Sequence, residues 1–131
     1  MKTDDFIRSV NKRETENLLN WLMSKGIRLG ICSNNNEFWY IRQMRKSGLF
    51  KFFSPNRITL SCKAGINKTD LRIFHLAADS LGLHPIECAY VDDRLPNVEN
   101  AMKIGMTGIY FPSESPIGAP YLYSILKQMI E

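Results

Sequence analysis

Residues 88–105 read CAYVDDRLPNVENAMKIG: a short apolar run, two adjacent aspartates, and then apolar residues at helical spacing. Asp92 and Asp93 repel each other, so they are best tolerated at the end of a strand when a hard cation such as Mg²⁺ lies between their oxygens. Open parallel sheets bind ligands at that edge. A turn that caps the next helix explains the pair equally well, so the rest of the chain must decide.

The composition is that of one globular domain. The chain has 131 residues, of which 44% are hydrophobic and 23% charged, and its net charge is +4. Basic residues form no run of the kind that binds nucleic acid, and no stretch approaches the roughly 18 apolar residues of a membrane span. The three cysteines, Cys32, Cys62 and Cys88, are widely separated and lie beside apolar runs, which predicts buried, reduced thiols in a cytoplasmic protein. We expect a single domain over residues 1–131, without nucleic-acid or membrane partners.

Helical and strand patterns alternate along the chain. The periodicity predicts strands over residues 27–32, 58–61, 87–91 and 106–111. Helices are predicted around residues 18–25, over 37–47, from Thr69 to residue 81, over 97–104, and from about residue 121 to the end. Strands separated by helices indicate βαβ units, and therefore an α/β fold with a mostly parallel sheet that helices cover on both faces.

Several local details follow from the same patterns. Thr69 is predicted to cap the third helix through its side chain, and Gly105 to end the fourth in a left-handed conformation. Met102 is predicted to face inward with its neighbours Val98 and Ala101, and Met129 to lie on the apolar face of the last helix.

Polar groups follow three successive predicted strands at the point where each ends. Ser33 begins the run SNNN, Lys68 follows the strand over 58–61, and Asp92 and Asp93 follow the next strand. A hydroxyl, an ammonium and an acid pair are the groups that hold a phosphoryl group and its metal. Taken one at a time, these groups have ordinary explanations: Ser33 and the asparagines or the acid pair could cap the helix that follows, and a single lysine on a loop is usually solvated. Their joint position at strand ends favours a phosphoryl site.

With Asn97 completing Asp-Asp-x-x-x-Asn, the sequence from about residue 18 to 111 resembles the haloacid dehalogenase-like superfamily of phosphohydrolases. The resemblance implies a Rossmann-like three-layer α/β/α fold, a small phosphorylated substrate and Mg²⁺ as cofactor. A receiver domain also combines an acid pair, a hydroxyl and a lysine. Its acid pair follows the first strand and its lysine comes last, whereas here the order is Ser33, Lys68, Asp92.

The resemblance also implies roles for individual residues. Ser33 and Asn34 would hold the phosphoryl oxygens, and Lys68 would neutralise the charge of nucleophile and phosphate, so that Ser33 and Lys68 are the catalytic candidates. Asp93 is implied as the direct Mg²⁺ ligand and Asp92 as an accessory one.

The chain departs from the family pattern in three places. Lys63 stands where this branch often has Glu, and Thr69 replaces the usual Pro after the lysine. More importantly, the family nucleophile lies in an Asp-x-Asp motif that occurs nowhere in this sequence, so the nucleophile is assigned to no residue. No cap domain is expected either. The resemblance therefore implies weak cation binding and little or no turnover by this chain alone.

The family strand that carries Asp-x-Asp lies between the strands predicted here over 27–32 and 88–91. Without it, those two strands either pair directly or leave two open edges, and open edges invite another chain. We expect a rearranged sheet, a homodimer completed by strand exchange, or a missing N-terminal segment that completes the sheet. Residues 1–12 are no replacement, because Phe6, Ile7 and Val10 have helical spacing.

Two functions remain open. One is a phosphohydrolase domain that acts when another segment supplies the nucleophile. The other is a non-catalytic relative whose pocket or open edge serves for binding or assembly.

Overall fold

Residues 12–34, 48, 50–111 and 118–130 are described in a computed structural model of the chain. The predicted helix over 37–47 lies outside the described residues, and so does the predicted helical segment over residues 1–12 apart from Lys12. In chain order the helices and strands are α1 (Lys12–Ser24), β1 (Ile31–Ser33), β2 (Ile58–Leu60), α2 (Ser61–Ala64), α3 (Arg72–Ser80), β3 (Ala89–Asp92), α4 (Leu95–Lys103), β4 (Thr107–Tyr110) and α5 (Gly118–Ile130). Short 3-10 turns occupy Phe50–Phe52, Pro55–Arg57 and Pro85–Glu87.

The four strands form two parallel pairs. β1 pairs with β2, with Cys32 opposite Thr59, and β3 pairs with β4, with Val91 opposite Ile109. Within the described residues, β1 and β3 are not hydrogen-bonded to each other. Direct pairing of these strands, one of the two outcomes expected from the sequence, is therefore wrong for this part of the chain. No other described strand occupies the second edge of β1 or of β3.

Helices pack on both faces of the strands. On one face α3 buries Ile73, Phe74 and Ala78 against side chains of both strand pairs, including Cys32 and Tyr90. On the other face, α1 and α5 pack together and against Ile109 of β4 and Phe111, which follows that strand. The buried residues that the two helices contribute are Leu18, Leu22, Leu122 and Leu126. These layers confirm the predicted α/β fold with parallel strands. No helix among the described residues is both long and apolar enough to cross a bilayer.

The first strand is shorter than predicted because its first half makes other contacts. β1 begins at Ile31, whereas the backbone N–H of Ile27 bonds to the carbonyl of Leu22 behind it, at 3.1 Å. The Arg28 guanidinium donates to the carbonyl of Leu81 at 2.9 Å, which ties this segment to the end of α3. The other predicted strands agree with the observed ones to within two residues.

The predicted cap of the third helix is wrong. α3 begins at Arg72, and the Thr69 hydroxyl donates to the side chain of Asn67 instead of the helix. Asp70 accepts a hydrogen bond from the backbone N–H of Arg72 at 3.0 Å, so this carboxylate satisfies the first turn. Asn67 and Asp70 compete more effectively for these local donors than the predicted cap does.

Two burial predictions are also wrong. Met102, predicted to face inward, is 53% exposed. Cys62 is exposed on the short helix α2 instead of buried, while Cys88 is buried as predicted. The left-handed end of the fourth helix is confirmed, since Gly105 has φ +102°.

Candidate phosphoryl and metal site

Lys68 connects the C-terminal ends of β1 and β3. Its backbone N–H donates to Asn34 Oδ1 at 3.0 Å, and its ammonium donates to Asp92 Oδ2 at 2.8 Å. Lys68 is 3% exposed and Asp92 is 2% exposed, so the ion pair is buried. Ser33, at the end of β1, is also buried and lines the same cavity as Lys68 and Asp92. The structure thus brings together residues that were predicted from three separate strands.

Asp92 is held by several donors besides the lysine. Its carboxylate accepts hydrogen bonds from the Tyr90 hydroxyl at 2.5 Å, the Asn97 amide at 3.3 Å and the backbone N–H of Arg94 at 3.0 Å. Burial alone would raise the pKa of Asp92, but the charge of Lys68 and these hydrogen bonds outweigh it and hold the pKa well below its usual range. Asp92 is therefore ionised near pH 7 and anchors the lysine.

Tyr90 is a site residue that the sequence reasoning missed. Its hydroxyl donates to Asp92, the Lys68 ammonium lies 5.5 Å from its ring centroid, and its ring meets that of Phe74 edge-on at 5.1 Å. Burial and the adjacent carboxylate raise the pKa of Tyr90 far above its usual value, so the hydroxyl remains a donor. The sequence signal that could have identified Tyr90 is strand periodicity, because residues two apart in a strand, such as Tyr90 and Asp92, lie on the same face.

Asn100 was missed as well. Its amide donates to the carbonyl of Lys68 at 3.0 Å and so fixes the backbone that carries the ammonium. It lies one helical turn after Asn97, the last residue of the Asp-Asp-x-x-x-Asn motif. Spacing of three on one helix face was the signal that could have identified it.

The remaining predicted residues lie at the edge of this network. Asn34 is exposed apart from its contact with Lys68, and Asp93 is half-buried next to Asp92, with its Oδ1 atom buried. Lys63 is exposed on α2 and is not among the described residues that line the cavity.

The carboxylates suit only a partial magnesium site. Among the residues that the structure describes, no group of three or more His, Cys, Asp or Glu side chains is placed to hold a metal. Both oxygens of Asp92 already accept hydrogen bonds, which leaves Asp93 as the better direct ligand. Mg²⁺ is commonly held by one or two carboxylates together with phosphate oxygens and water. The residues fit a cation that binds with a phosphorylated ligand.

Cys32 lies in β1 immediately before Ser33 and lines the same cavity. Burial raises the pKa of its thiol to about 11, although the nearby Lys68 acts in the opposite direction. The thiol is therefore neutral near pH 7 and is a poor nucleophile for phosphorus.

A cavity of about 680 Å³ extends from this cluster between β1 and β3, along the edges that no described strand occupies. We call it the central cleft. Its walls are formed by residues of both strands and of α1, α3 and α5, and Ser33, Lys68 and Asp92 lie at one end.

The model of one protein family, described as haloacid dehalogenase-like hydrolase, matches residues 6–105. The chain belongs to the haloacid dehalogenase-like hydrolase family. This confirms the resemblance found in the sequence, including the α/β fold.

Two curated family members are similar in sequence. Glyceraldehyde 3-phosphate phosphatase of Methanothermobacter thermautotrophicus is 30% identical over 94 residues, which cover 71% of this chain and 41% of that protein. The chloroplastic flavin mononucleotide hydrolase 1 of Arabidopsis thaliana is 41% identical over 51 residues, which cover 39% of this chain and 21% of that protein. The chain thus spans less than half the length of either relative.

A solved structure supports the same fold assignment. The crystal structure of an uncharacterized protein from Corynebacterium glutamicum superposes with a TM-score of 0.58 at 27% identity, covering 76% of this chain and 71% of that one.

Proposed function

We propose that this chain carries the phosphoryl-binding and cation-binding part of a Mg²⁺-dependent phosphohydrolase that acts on a small phosphorylated molecule. We further propose that it does not turn over substrate alone, because its sequence contains no Asp-x-Asp motif. The observation that carries the proposal is the buried Lys68–Asp92 pair at the joined ends of β1 and β3, in a chain that belongs to a hydrolase family.

In this proposal each residue has a distinct task. The Lys68 ammonium and the Ser33 hydroxyl bind phosphoryl oxygens, and Asp92 positions the lysine rather than contacting substrate. Asp93, with Asp92 as accessory ligand, holds Mg²⁺. When bound, the cation neutralises charge on the phosphoryl oxygens. The attacking carboxylate comes from a segment other than the described strands, since Asp92 is occupied by its donors.

The names of the relatives guide the choice of substrates. Glyceraldehyde 3-phosphate, flavin mononucleotide and 4-nitrophenyl phosphate should each be tested with Mg²⁺, with the chain alone and with an added fragment that carries Asp-x-Asp after an apolar strand. We expect turnover only with the fragment, and its loss in Lys68→Met but not in Lys63→Met, a matched change at an exposed lysine. The assignment would be refuted if the chain alone turned over substrate and Lys68→Met left that turnover intact.

Cation binding is tested separately by calorimetric titration of Mg²⁺ in the presence of inorganic phosphate. Asp93→Asn should weaken binding at least tenfold, because it removes the charged ligand. Asp79→Asn, at an exposed position on α3, is the control and should change nothing. Equal Mg²⁺ affinity in the parent and in Asp93→Asn would contradict the assignment of Asp93 as a metal ligand.

A second candidate function is a non-catalytic binding or assembly module. The observation that favours it is the open central cleft together with the absence of Asp-x-Asp from the sequence. It predicts ligand or partner binding with no turnover under any combination of fragment and substrate. A cytoplasmic location is proposed for either function, supported by the three free thiols.

A further inference from the structure

A second cavity lies at the edge of the sheet opposite to Lys68. β1 and β2 are parallel, so the residues that precede both strands meet at one edge and those that follow them meet at the other. A β-carbon added at Gly30, just before β1, would lie 3.0 Å from the carbonyl oxygen of Arg57, just before β2. Arg57 also lines a cavity of about 480 Å³ between residues 23–29 and residues 51–57. We call this cavity the basal pocket.

The basal pocket is lined by cations without matching anions. Arg28, Lys51 and Arg57 line it, and no Asp or Glu is among its described lining residues. Like charges around one cavity repel each other and raise the local concentration of ions of the opposite sign. An anion bound between the three side chains would relieve this repulsion.

Arg57 gives the strongest indication of a ligand. Its backbone is fixed in a 3-10 turn, where its N–H donates to the carbonyl of Ser54 at 2.9 Å. Its side chain is half-buried, and the described residues supply its guanidinium with neither a hydrogen bond nor an ion pair. A charged group that is partly removed from water without a partner is costly, and a bound anion would offset that cost.

The other two cations keep donors available for the same ligand. Arg28 uses only Nη1 in its bonds to the carbonyls of Leu81, at 2.9 Å, and Gly82, at 3.4 Å, so its Nε and Nη2 groups are not engaged by described residues. Lys51 lies 3.6 Å from Glu16 and its side chain is 63% exposed, which makes a weak ion pair. Both side chains can therefore donate to an anion in the pocket.

The end of α1 would disfavour an anion if its carbonyls were free. The carbonyl of Leu22 accepts from the N–H of Ile27 at 3.1 Å, and that of Met23 accepts from the N–H of Gly26 at 3.0 Å. Gly26 has φ +75°, as expected for a left-handed helix end. These two carbonyls are thus already satisfied within the turn.

Apolar side chains form much of the remaining wall. Met23 is 51% exposed and Ile27 is 38% exposed, and both line the pocket together with the half-buried Phe53. A concave site that combines a few convergent charged groups with apolar surface is typical of small-molecule binding. Guanidinium groups match the paired oxygens of a phosphate or a carboxylate. The pocket therefore suits an organic anion better than an inorganic one.

We propose that the basal pocket binds a small organic anion, whose phosphate or carboxylate group is held by Arg57, Arg28 and Lys51 and whose apolar body lies against Met23 and Ile27. This site is separate from the phosphoryl site, because Lys68 bonds to Asn34, which follows β1, whereas Arg28 precedes that strand. The proposal depends neither on Lys68 nor on turnover.

The test is calorimetric titration of the full chain with three probes of one shape: 1-naphthylphosphonate, 1-naphthoate and the neutral 1-naphthamide. Arg57→Gln removes the central cation, and Lys127→Gln makes the same kind of change at an exposed lysine that is not among the lining residues. Each variant is also made together with Lys68→Met, which removes the cation of the phosphoryl site. Urea unfolding shows that every chain used is folded.

We expect at least one of the two anionic probes to bind and the amide to bind at least about tenfold more weakly, since it lacks the charge. Arg57→Gln should weaken anion binding about tenfold, and Lys127→Gln should leave it within about a factor of two. Binding should persist in a folded Lys68→Met chain. Tighter binding of the phosphonate would identify a phosphate ester as the ligand class, and tighter binding of the naphthoate a carboxylic acid.

An NMR titration locates the ligand without relying on Arg57→Gln. The Nε–H signal of Arg57, identified by its absence from the spectrum of Arg57→Lys, should shift as the anion is added. The proposal is overturned if neither anion binds, if the amide binds equally well, or if the Arg57 signal does not move. Equal affinity in the parent and Arg57→Gln, or loss of all binding in a folded Lys68→Met chain, would also overturn it.

Discussion

Replacing Asp92 by Asn should destabilise the fold by about 3–5 kcal/mol, the cost of breaking a buried ion pair by removing one charge. The carboxylate accepts hydrogen bonds from Lys68, Tyr90, Asn97 and the backbone N–H of Arg94. The amide of the variant places its own N–H group against at least one of these donors, and it removes the negative charge that pairs with the buried ammonium. Lys68→Met should cost less, about 1–3 kcal/mol, because the carboxylate keeps its other three donors.

The assay is urea unfolding followed by tryptophan fluorescence, for which the half-buried Trp21 is a probe in the described core. The cycle consists of Asp92→Asn, Lys68→Met and the double variant, with Asp79→Asn and Lys63→Met as exposed controls. The double variant should be about 1–3 kcal/mol more stable than the sum of the single losses predicts, since the two residues are in contact. The reasoning would be refuted if the double variant lost as much stability as the two single variants together. It would also be refuted if Asp92→Asn were within about 0.5 kcal/mol of the parent.

Four further predictions concern acid stability, two glycines and thiol reactivity. The pKa of Asp92 is lower in the folded state than the roughly 3.9 of an unfolded aspartate, so its contribution to stability is present above about pH 4 and is lost as the pH falls further. The difference in unfolding free energy between the parent and Asp92→Asn, measured with EDTA, should therefore shrink below about pH 4. A constant difference would contradict the assigned direction of the pKa shift. Gly105 has φ +102°, so Gly105→Val should lower the unfolding free energy by about 1–2 kcal/mol, and Gly105→Asn should lower it clearly less because Asn tolerates the left-handed region. Equal unfolding midpoints of the two variants would contradict this reasoning. Gly108→Ala should cost about 1–3 kcal/mol in the same urea assay, because the added carbon would lie 2.6 Å from Cγ1 of Val98 on α4, and a variant as stable as the parent would show that α4 moves freely. Iodoacetamide at pH 7 should modify the exposed Cys62 much faster than Cys32, whose thiol pKa is raised to about 11, as peptide mass spectrometry would show; comparable rates would contradict the burial of Cys32.

The order of helices and strands was predictable because it depends on local periodicity. Apolar spacing identified α1, α3, α4 and α5 and all four described strands, and the positive φ of Gly105 followed from its position after a helix. Errors occurred where local competition decided the outcome, as at Thr69, whose hydroxyl bonds to Asn67. They also occurred at the margins of apolar faces, as at Met102.

The candidate site was predictable in part for a topological reason. Parallel strands bring their C-terminal ends to one edge, so Ser33, Lys68 and Asp92 could be grouped from their places in the sequence. Tyr90 and Asn100 were not identified, because their roles depend on hydrogen bonds to Asp92 and to the Lys68 carbonyl. The Asn100 contact connects positions 32 residues apart. Tyr90 lies only two residues before Asp92, and strand periodicity places both on one face, but it does not show that their side chains bond.

The sequence by itself determined the element types, the family resemblance and the absence of Asp-x-Asp, because each is a property of residue order. Only the tertiary structure decided whether β1 and β3 pair with each other within the described residues. Direct pairing of β1 with β3 and two open edges are both compatible with the same local patterns. The layers of α1, α5 and α3 on either side, with Lys68 and Arg28 fixing the two ends, hold the strands apart and leave the central cleft between them.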